Sequence, residues 1–264
     1  MIFRRSSHKG DGARSSASRR PTTHTAKIPD GLRVFAFGDV HGRSDLLAEL
    51  IRRIENELAM SPGAESILIG LGDYVDRGAD SKGVLDLLVS RELPLEVRPL
   101  KGNHEAMFED FLEEPAEFGG HWFRNGGWET VRSYGVDCVP IVTPPSRFVR
   151  IRDELVEKMP TSHLSFIEAL PLTASYGDYF FVHAGARPGV ALSEASEDDA
   201  LWIRGGFSDR DDPFEQIVVH GHTPTELVFV GQYRINLDTG AYATGRLTCL
   251  VLEGHMRRFI EVTG

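Results

Sequence analysis

The sequence predicts an α/β fold in a single domain. Three apolar strand segments alternate with two amphipathic helix segments in the first 100 residues, and this order is typical of a parallel sheet with helices on both faces. The 264 residues show neither an internal repeat nor a clear linker, and this length fits one α/β domain. Hydrophobic residues make up 41% and charged residues 26% of the chain, as in globular proteins. We therefore expect one folded unit over residues 31–264.

The first elements follow from hydrophobic periodicity. Residues 33–37 form an apolar run that predicts the first strand. Ser44 is expected to cap a helix, because apolar residues recur after it at helical spacing as far as Leu58. The next elements are predicted as a strand at 66–69, a helix at 84–89 and a strand at 95–100.

The rest of the chain divides into a helical and a strand-rich part. Residues 105–170 are predicted to be mostly helical. Short strands are then expected near 179–182, 216–220, 227–230, 233–237 and 247–252.

Charge is unevenly distributed along the chain. Residues 1–30 contain seven Lys/Arg and two acidic residues and are rich in Ser, Thr and Gly, which predicts a basic, disordered tail. A transit peptide is the alternative for this tail, which lacks the apolar region of a secretory signal. The remaining residues carry a net charge of about −15, which disfavours a nucleic-acid partner. No apolar run could span a bilayer, so we expect no membrane partner and a cytoplasmic location.

Five short motifs carry the residues of chemical interest. GDVHG at 38–42, GDYVDRG at 72–78 and GNHE at 102–105 follow the three predicted strands, and VHAG at 182–185 and GHTP at 221–224 begin at or follow two later ones. The carboxyl ends of parallel strands meet at one edge of a sheet, where α/β proteins build their sites. Two cysteines exclude a cysteine-built zinc site. Oxygen and imidazole ligands instead suit Mn²⁺, Fe or Zn²⁺.

Each motif alone also has a purely structural explanation. The Asp-x-His pair of the first motif could form a turn with a solvated histidine, and Asp76 with Arg77 could form a surface ion pair. Asn103 could cap the helix that follows it, and His183 could be a hydrogen-bonded core histidine. Five such motifs at strand ends are hard to explain in this way, so together they predict a metal centre.

In this order the motifs resemble those of the calcineurin-like metallophosphoesterases. Within that superfamily they look like the phosphoprotein phosphatase group, in its bacterial serine/threonine phosphatase branch. The resemblance covers roughly residues 33–245, and stretches 122–127 and 201–204 are similar to the same branch less specifically. It implies a four-layer αββα sandwich of mixed sheets, with a catalytic domain over 31–264. It also implies two divalent transition-metal ions, with Mn²⁺ expected first and Fe or Zn²⁺ as alternatives.

The resemblance assigns roles by motif position. Pro224 stands where many metallophosphoesterases have a further metal-binding histidine, so the first metal would have fewer protein ligands, as in the protein phosphatases. His220 is expected to support the site without binding metal. Asp39 and His41 would bind the first metal, Asp73 would bridge both, and Asn103, His183 and His222 would hold the second.

The expected mechanism is direct hydrolysis. Two adjacent metals can lower the pKa of a bridging water, and the resulting hydroxide would attack phosphorus in line. Arg77 and Arg204 are candidates to bind the substrate phosphate together with Asn103, because a guanidinium fork matches two phosphate oxygens. His104 would protonate the leaving alkoxide as general acid, and Asp76 would orient its imidazole. This acid pair is implied mainly by the resemblance.

The expected function is therefore a metal-dependent phosphomonoesterase, a serine/threonine protein phosphatase acting on phosphoproteins. A symmetrical diadenosine tetraphosphate hydrolase is the alternative, because its motif set is closely similar; GNHE in place of GNHD favours the phosphatase. A non-catalytic phosphate-binding scaffold is disfavoured, since every ligand, the acid and its partner are present. A metallo-nuclease is disfavoured because the acidic body would repel a polyanion. The oligomeric state is open.

Overall fold

The computed structural model describes residues 21–89, 92–138 and 144–264. The strands are β1 (Leu32–Phe37), β2 (Glu65–Gly70), β3 (Glu96–Val97), β4 (Thr173–Tyr176), β5 (Tyr179–Val182), β6 (Ile217–His220), β7 (Phe229–Val230), β8 (Arg234–Asn236), β9 (Arg246–Glu253) and β10 (Met256–Thr263). The α-helices are α1 (Ser44–Met60), α2 (Ser81–Val89), α3 (Asn103–Glu113), α4 (Pro115–Trp122), α5 (Trp128–Ser133), α6 (Pro145–Lys158), α7 (Thr161–Glu168), α8 (Glu197–Trp202) and α9 (Ala241–Thr244).

The strands form two mixed sheets of five. The first has the order β10-β9-β1-β2-β3, in which β1, β2 and β3 are parallel and β9 and β10 are antiparallel to their neighbours. The second has the order β4-β5-β6-β8-β7, with three parallel central strands and an antiparallel strand at each edge. The parallel strands of both sheets place their carboxyl ends where the site motifs begin.

Three apolar clusters separate four layers. Val34 and Ala36 of β1 pack between the sheets against residues such as Phe181. Phe35 and Phe37 point the other way, into the cluster that α1 to α7 form on the outer face of the first sheet, because successive strand residues face opposite sides. A thinner layer that includes α8 covers the second sheet. The predicted single-domain αββα sandwich is confirmed.

The alternation of strands and helices in the sequence led to a wrong prediction of what packs on the two faces of the first sheet. It predicted helices on both faces, whereas one face packs on the second sheet. A sheet face buried by another sheet is as apolar as one buried by helices, so the pattern does not distinguish them. The helical prediction for 105–170 is confirmed for the described residues in that range, and among all described residues no helix is long and apolar enough to cross a membrane.

Several element boundaries differ from the prediction. The third strand is limited to β3, although Leu100 still donates to Gly70 (N···O 2.8 Å). Ser44 is the first residue of α1 and not its cap, and its hydroxyl donates to Asp80 (2.5 Å). The strands β4 and β10 were not predicted, because both are only partly buried and lack a continuous apolar run.

Residues 21–30 belong to the folded unit, although the sequence placed them in the disordered tail. Ala26 and Ile28 are buried in the cluster between the sheets. The amide of Thr23 donates to Gln232 O (2.9 Å), and that of Lys27 donates to Asp178 Oδ2 (3.0 Å). Two apolar residues in a polar stretch were too weak a pattern to predict this packing. The disordered tail prediction for residues 1–20 falls outside the described residues.

His163 of α7 contacts α2 and the residue that follows α5 on the outer face, away from the strand-end motifs. Its Nδ1 lies 2.8 Å from the Tyr134 hydroxyl, and its Nε2 lies 3.3 Å from Asp86 Oδ1. The side chain is 1% exposed, and this burial lowers the pKa of His163. An unfolded histidine gains a proton below about pH 6.5, whereas the folded one resists protonation, so this residue makes the fold less stable as the pH falls below that value.

We expect His163→Gln to weaken the acid dependence of stability. The free energy of unfolding of the unmodified protein should fall more between about pH 7 and pH 5.5 than that of the variant, by at most about 1.4 kcal/mol per pH unit for one proton. Urea unfolding at both pH values measures the difference. Parallel pH dependences of the two proteins would show that His163 does not contribute.

Candidate metal-binding active site

The five motifs meet at one edge of the two sheets. Asp39, Asp73 and Asn103 follow strands of the first sheet, whereas His183 and His222 follow strands of the second. All five side chains are at most 5% exposed. Asp39 Oδ2 accepts a hydrogen bond from the His222 amide (3.1 Å), so residues 183 positions apart in the sequence are in contact. The structure therefore brings together side chains that the motif order assigned to one site.

Two clusters of potential metal ligands share one carboxylate. One consists of His41, Asp73 and His104, and the other of Asp73, His183 and His222; in each, the ligand atoms lie within 4.8 Å of one another. Asp73 Oδ2 lies 3.3 Å from His41 Nε2, and Asp73 Oδ1 lies 3.4 Å from His183 Nε2. Each oxygen of Asp73 thus faces a different cluster, which is an arrangement that suits a bridging carboxylate.

Asn103 completes the second cluster. Its Oδ1 lies 2.8 Å from both His183 Nε2 and His222 Nδ1. His183 Nδ1 lies 2.8 Å from the carbonyl oxygen of Leu71, which can only accept, so Nδ1 carries the proton and Nε2 carries a lone pair when the ring is neutral. A lone pair of His183 therefore faces the amide oxygen of Asn103. Electron pairs that converge in this way suit a shared cation.

In the first cluster, a backbone carbonyl likewise orients the histidine ring. His41 Nδ1 donates to Val75 O (2.8 Å), so in the neutral ring the lone pair is on Nε2, which lies beside Asp73 Oδ2 (3.3 Å) and Arg77 Nη1 (2.9 Å). Orientation of a histidine ligand by a backbone carbonyl is a common feature of metal sites. In addition, His104 Nε2 and His222 Nε2 are buried and have no hydrogen-bond partner among the described residues. These observations fit divalent cations at both clusters.

The electrostatics of the site also favour cation binding. Burial, with the nearby carboxylates of Asp238 and Asp73, raises the pKa of Asp39 well above its usual range. Burial by itself would raise the pKa of Asp73 as well, but the surrounding histidines hold it well below its usual range. Burial and the neighbouring His183 lower the pKa of His222 to about 2. His222 is therefore neutral near pH 7, which is the form that binds metals.

The backbone at this rim is strained. Among the described residues, non-glycine residues with positive φ occur only here, with φ between 44° and 72°. Such conformations cost about 1–3 kcal/mol each and are typical of functional sites. The residues concerned are His41, Asp73, Asp76, Arg77 and His222.

Glu105 fixes the loops on which two of the motifs lie. Its Oε2 accepts from the amides of Asp73 (2.8 Å) and Gly102 (3.0 Å), and its Oε1 accepts from those of Tyr74 (2.8 Å) and Val75 (3.2 Å). Gly102 is therefore the N-cap of α3, and the alternative explanation that Asn103 caps this helix is wrong. The sequence analysis missed this role, because a glutamate after Asn-His shows no spacing that points back to another loop.

The predicted acid pair is in contact. His104 Nδ1 lies 2.7 Å from Asp76 Oδ2, and both residues are at most 1% exposed. The carboxylate accepts, so Nδ1 carries a proton, and Nε2 lies 3.9 Å from Asp73 Oδ2. The imidazole therefore presents Nε2 to the space beside the shared aspartate.

The two predicted arginines border different clusters. Arg77 Nη1 lies 2.9 Å from His41 Nε2, and its guanidinium lies 5.0 Å from the ring centre of Tyr242. Arg204 is exposed, and its charge is among the influences that lower the pKa of His222, after burial and His183. Arg77 thus lies within the site, whereas Arg204 is near enough to His222 to affect its pKa.

Two further residues near the site, His220 and Asp238, are not members of either cluster. His220 turns to Arg234 (Nε2···Nη1 3.1 Å) and belongs to neither cluster. Asp238, which the sequence analysis missed, is 3% exposed and raises the pKa of Asp39. Asp238 follows β8 and lies two residues before Gly240. The search for polar residues near glycines at strand ends, which found the other motifs, could therefore also have found Asp238.

Comparison with known proteins agrees with this geometry. A family profile described as calcineurin-like phosphoesterase matches residues 32–255. The chain belongs to the calcineurin-like phosphoesterase family. This family depends on a dinuclear metal centre, and the two clusters around Asp73 supply candidate ligands for it.

Two curated bacterial relatives of this phosphoesterase are similar over part of their length. One is serine/threonine-protein phosphatase 1 of Salmonella typhimurium, at 36% identity over 98 residues, which are 37% of this chain and 40% of the relative. The other is serine/threonine-protein phosphatase 2 of Escherichia coli, at 34% identity over 94 residues, which are 36% of this chain and 38% of the relative. The match therefore spans about two fifths of each relative.

Solved structures share the fold over most of the chain. A provisionally assigned diadenosine tetraphosphatase has a TM-score of 0.58 and 21% identity, with 87% of this chain and 93% of that one covered. A protein serine/threonine phosphatase from Saccharomyces cerevisiae has a TM-score of 0.52 and 16% identity, with 89% and 80% covered. Both proteins share the fold of the phosphoesterase, but they are described with different substrates. The fold therefore does not select the substrate.

We expect Mn²⁺ to stabilise the metal-free protein. Binding to buried carboxylates and neutral histidines of the folded state should raise the free energy of unfolding by about 2.7 kcal/mol at a concentration one hundred times Kd. Thermal unfolding after chelation, with and without added Mn²⁺, measures the shift in Tm. Ca²⁺, which prefers oxygen ligands, is the matched control and should give a smaller shift. No shift with Mn²⁺ would contradict a cation site formed by these residues.

Proposed function

We propose that this phosphoesterase is a serine/threonine protein phosphatase that hydrolyses phosphomonoesters of proteins. The observation that carries the proposal is the buried His104–Asp76 pair, whose free imidazole nitrogen faces the carboxylate shared by both clusters. A serine or threonine alkoxide is a poor leaving group and needs a proton as it departs. The names of the two bacterial relatives support the same substrate class.

Two groups of side chains would hold the ions. His41 and Asp73 of the first cluster, together with Asp39, would hold the first, and Asp73 with Asn103, His183 and His222 would hold the second. When bound, divalent cations supply Lewis acidity, which neutralises phosphoryl oxygens and makes a hydroxide nucleophile available near neutral pH. We propose Mn²⁺ first, with Fe and Zn²⁺ as alternatives that elemental analysis of the purified protein distinguishes.

Arginines would bind and orient the phosphoryl group. Arg77 beside the first cluster and Arg204 beside the second could contact it from two sides, since each guanidinium offers paired donors to two oxygens. The amide oxygen of Asn103 lies next to the second cluster, 2.8 Å from both His183 Nε2 and His222 Nδ1. These contacts would fix the leaving oxygen towards the acid pair.

His104 would complete the reaction by a proton transfer. The bond from phosphorus to the serine or threonine oxygen breaks, and that oxygen takes the proton from Nε2 of the imidazolium. The products are the free hydroxyl side chain and phosphate, and His104 becomes neutral. Asp76 keeps the other proton on Nδ1 and stabilises the imidazolium before the transfer.

Hydrolysis of diadenosine tetraphosphate is the second candidate. The ring of Tyr242 is 40% exposed beside Arg77 and His41, and an exposed aromatic ring can stack on a nucleobase. A nucleotide leaving group needs less help from an acid than an alkoxide does. The buried acid pair therefore favours the phosphatase.

A substrate comparison tests the proposal. The Mn²⁺-loaded protein is assayed with a phosphoserine peptide and with diadenosine tetraphosphate, and kcat/KM is measured for both. We expect the peptide to be preferred. A clear preference for the dinucleotide would overturn the phosphatase assignment and leave a phosphoesterase of the second class. A phosphotyrosine version of the same peptide tests whether the site also accepts an aryl phosphate. The expected cytoplasmic location stays a prediction.

A further inference from the structure

The carboxylate of Asp76 has two buried partners besides His104. Oδ2 accepts from the indole Nε1 of Trp122 (2.9 Å) as well as from the imidazole, and Oδ1 accepts from the Thr130 hydroxyl (2.7 Å). Asp76, Trp122 and Thr130 are all 0% exposed. Both oxygens are therefore fixed by donors that no substrate or solvent molecule can displace.

The directions of these hydrogen bonds are determined by chemistry. Indole nitrogen can only donate, and the Thr130 hydroxyl uses its single proton on Oδ1. The Ser81 hydroxyl lies 2.9 Å from Thr130 Oγ1, so it must donate there. The backbone amide of Asp76 donates to both hydroxyl oxygens, at 3.0 Å for Ser81 and 2.8 Å for Thr130. Around the ionised carboxylate of Asp76, these hydrogen bonds have only one arrangement of protons.

Gly126, which lies between Trp122 and Thr130 in the sequence, also holds the backbone of Arg77. Gly126 O accepts from the Arg77 amide (3.2 Å). Gly126 has a φ of 106°, and a Cβ there would lie 2.6 Å from Arg77 N. Asp76 and Arg77 are themselves in strained positive-φ conformations, so they need such restraints to stay in place. Trp122, Gly126 and Thr130 thus restrain the active-site loop at Asp76 and Arg77.

We infer that Trp122 and Thr130 are positioning residues for proton donation by His104, acting through Asp76. With both oxygens held, the carboxylate cannot rotate, and the imidazole keeps the orientation in which Nε2 faces the shared aspartate. Loss of either donor would let the carboxylate turn and the imidazole tilt away from the leaving oxygen. This inference rests on the proposed function, since it assumes that His104 is the acid.

Leaving-group dependence distinguishes this role from a structural one. Trp122→Phe removes the N–H and keeps a large ring, and Thr130→Val removes the hydroxyl and keeps the shape. We expect each to lower kcat for a phosphoserine peptide about tenfold, and to change kcat for p-nitrophenyl phosphate, whose leaving group needs no proton, less than about threefold. Thr130→Ser should restore the peptide rate. Bound metal, measured by elemental analysis, should stay equal to that of the unmodified protein.

Control variants distinguish a failure of the positioning role from a failure of the acid role of His104. Trp128→Phe is a matched change six residues away, on a ring that stacks on Phe123 at 4.0 Å, and it should leave both rates unchanged. In a His104→Asn background, Trp122→Phe should have no further effect on the peptide rate. Equal losses on both substrates, or a further loss in that background, would overturn the positioning role. If His104→Asn alone lowers both rates equally, the acid role in the proposed function fails instead.

Discussion

Replacing His104 by asparagine should lower kcat for a phosphoserine peptide by about 10²- to 10⁴-fold. The change removes the proton that the leaving alkoxide needs, while the asparagine amide can still hydrogen-bond to Asp76. Hydrolysis of p-nitrophenyl phosphate should fall much less, because that phenolate leaves without protonation. Steady-state kinetics with both substrates at saturating Mn²⁺ measure the two losses.

The control for this substitution is the same change at another buried histidine. His163 is as buried as His104 but lies away from the metal clusters, so His163→Asn should leave both rates nearly unchanged. Equal losses on the peptide and the aryl phosphate in His104→Asn would remove this residue from the acid role. Bound metal must be measured in parallel, because His104 is a member of one cluster.

Replacing Asp73 by asparagine should have the largest effect on metal binding. Each oxygen of this carboxylate faces a different cluster, so the change removes a charged ligand from both ions. We expect fewer ions per chain by elemental analysis and a loss of turnover of at least about 10³-fold on both alkyl and aryl phosphates. The lack of leaving-group dependence distinguishes this loss from that of His104→Asn.

Asp199 provides the matched control. It is 5% exposed and forms a salt bridge with Arg187 (2.6 Å), but it belongs to neither cluster. Asp199→Asn should therefore keep the metal content and the turnover, although it weakens an ion pair. Full metal content in Asp73→Asn would contradict a bridging role for this aspartate.

The sequence predicted the parts of the fold that depend on strong local patterns. The run at 33–37 and the helical spacing after Ser44 identified β1 and α1, since buried strands and amphipathic helices have distinct periods. Polar motifs directly after predicted strands then predicted which residues meet, because parallel strands end at the same edge. In this way the contact between Asp39 and His222 was predictable from residues far apart in sequence.

Features that depend on tertiary contacts were not predictable. Glu105 organises two loops through four backbone amides, and nothing in its local sequence indicates these partners. The packing of Ile28 between the sheets and the pairing of β10 with β9 likewise depend on surfaces that form only when the chain folds. The indole of Trp122 reaches Asp76 from 46 positions away, at a distance that no spacing rule covers.

The candidate ligands come from both sheets, and this has a consequence for the cooperativity of unfolding. Asp39, Asp73 and Asn103 lie on one half of the sandwich and His183 and His222 on the other. Ions held between them would act as a cross-link, because local opening of either half removes ligands from a shared centre. The ions would therefore add a second link between the two halves, besides the apolar cluster that both sheets already share.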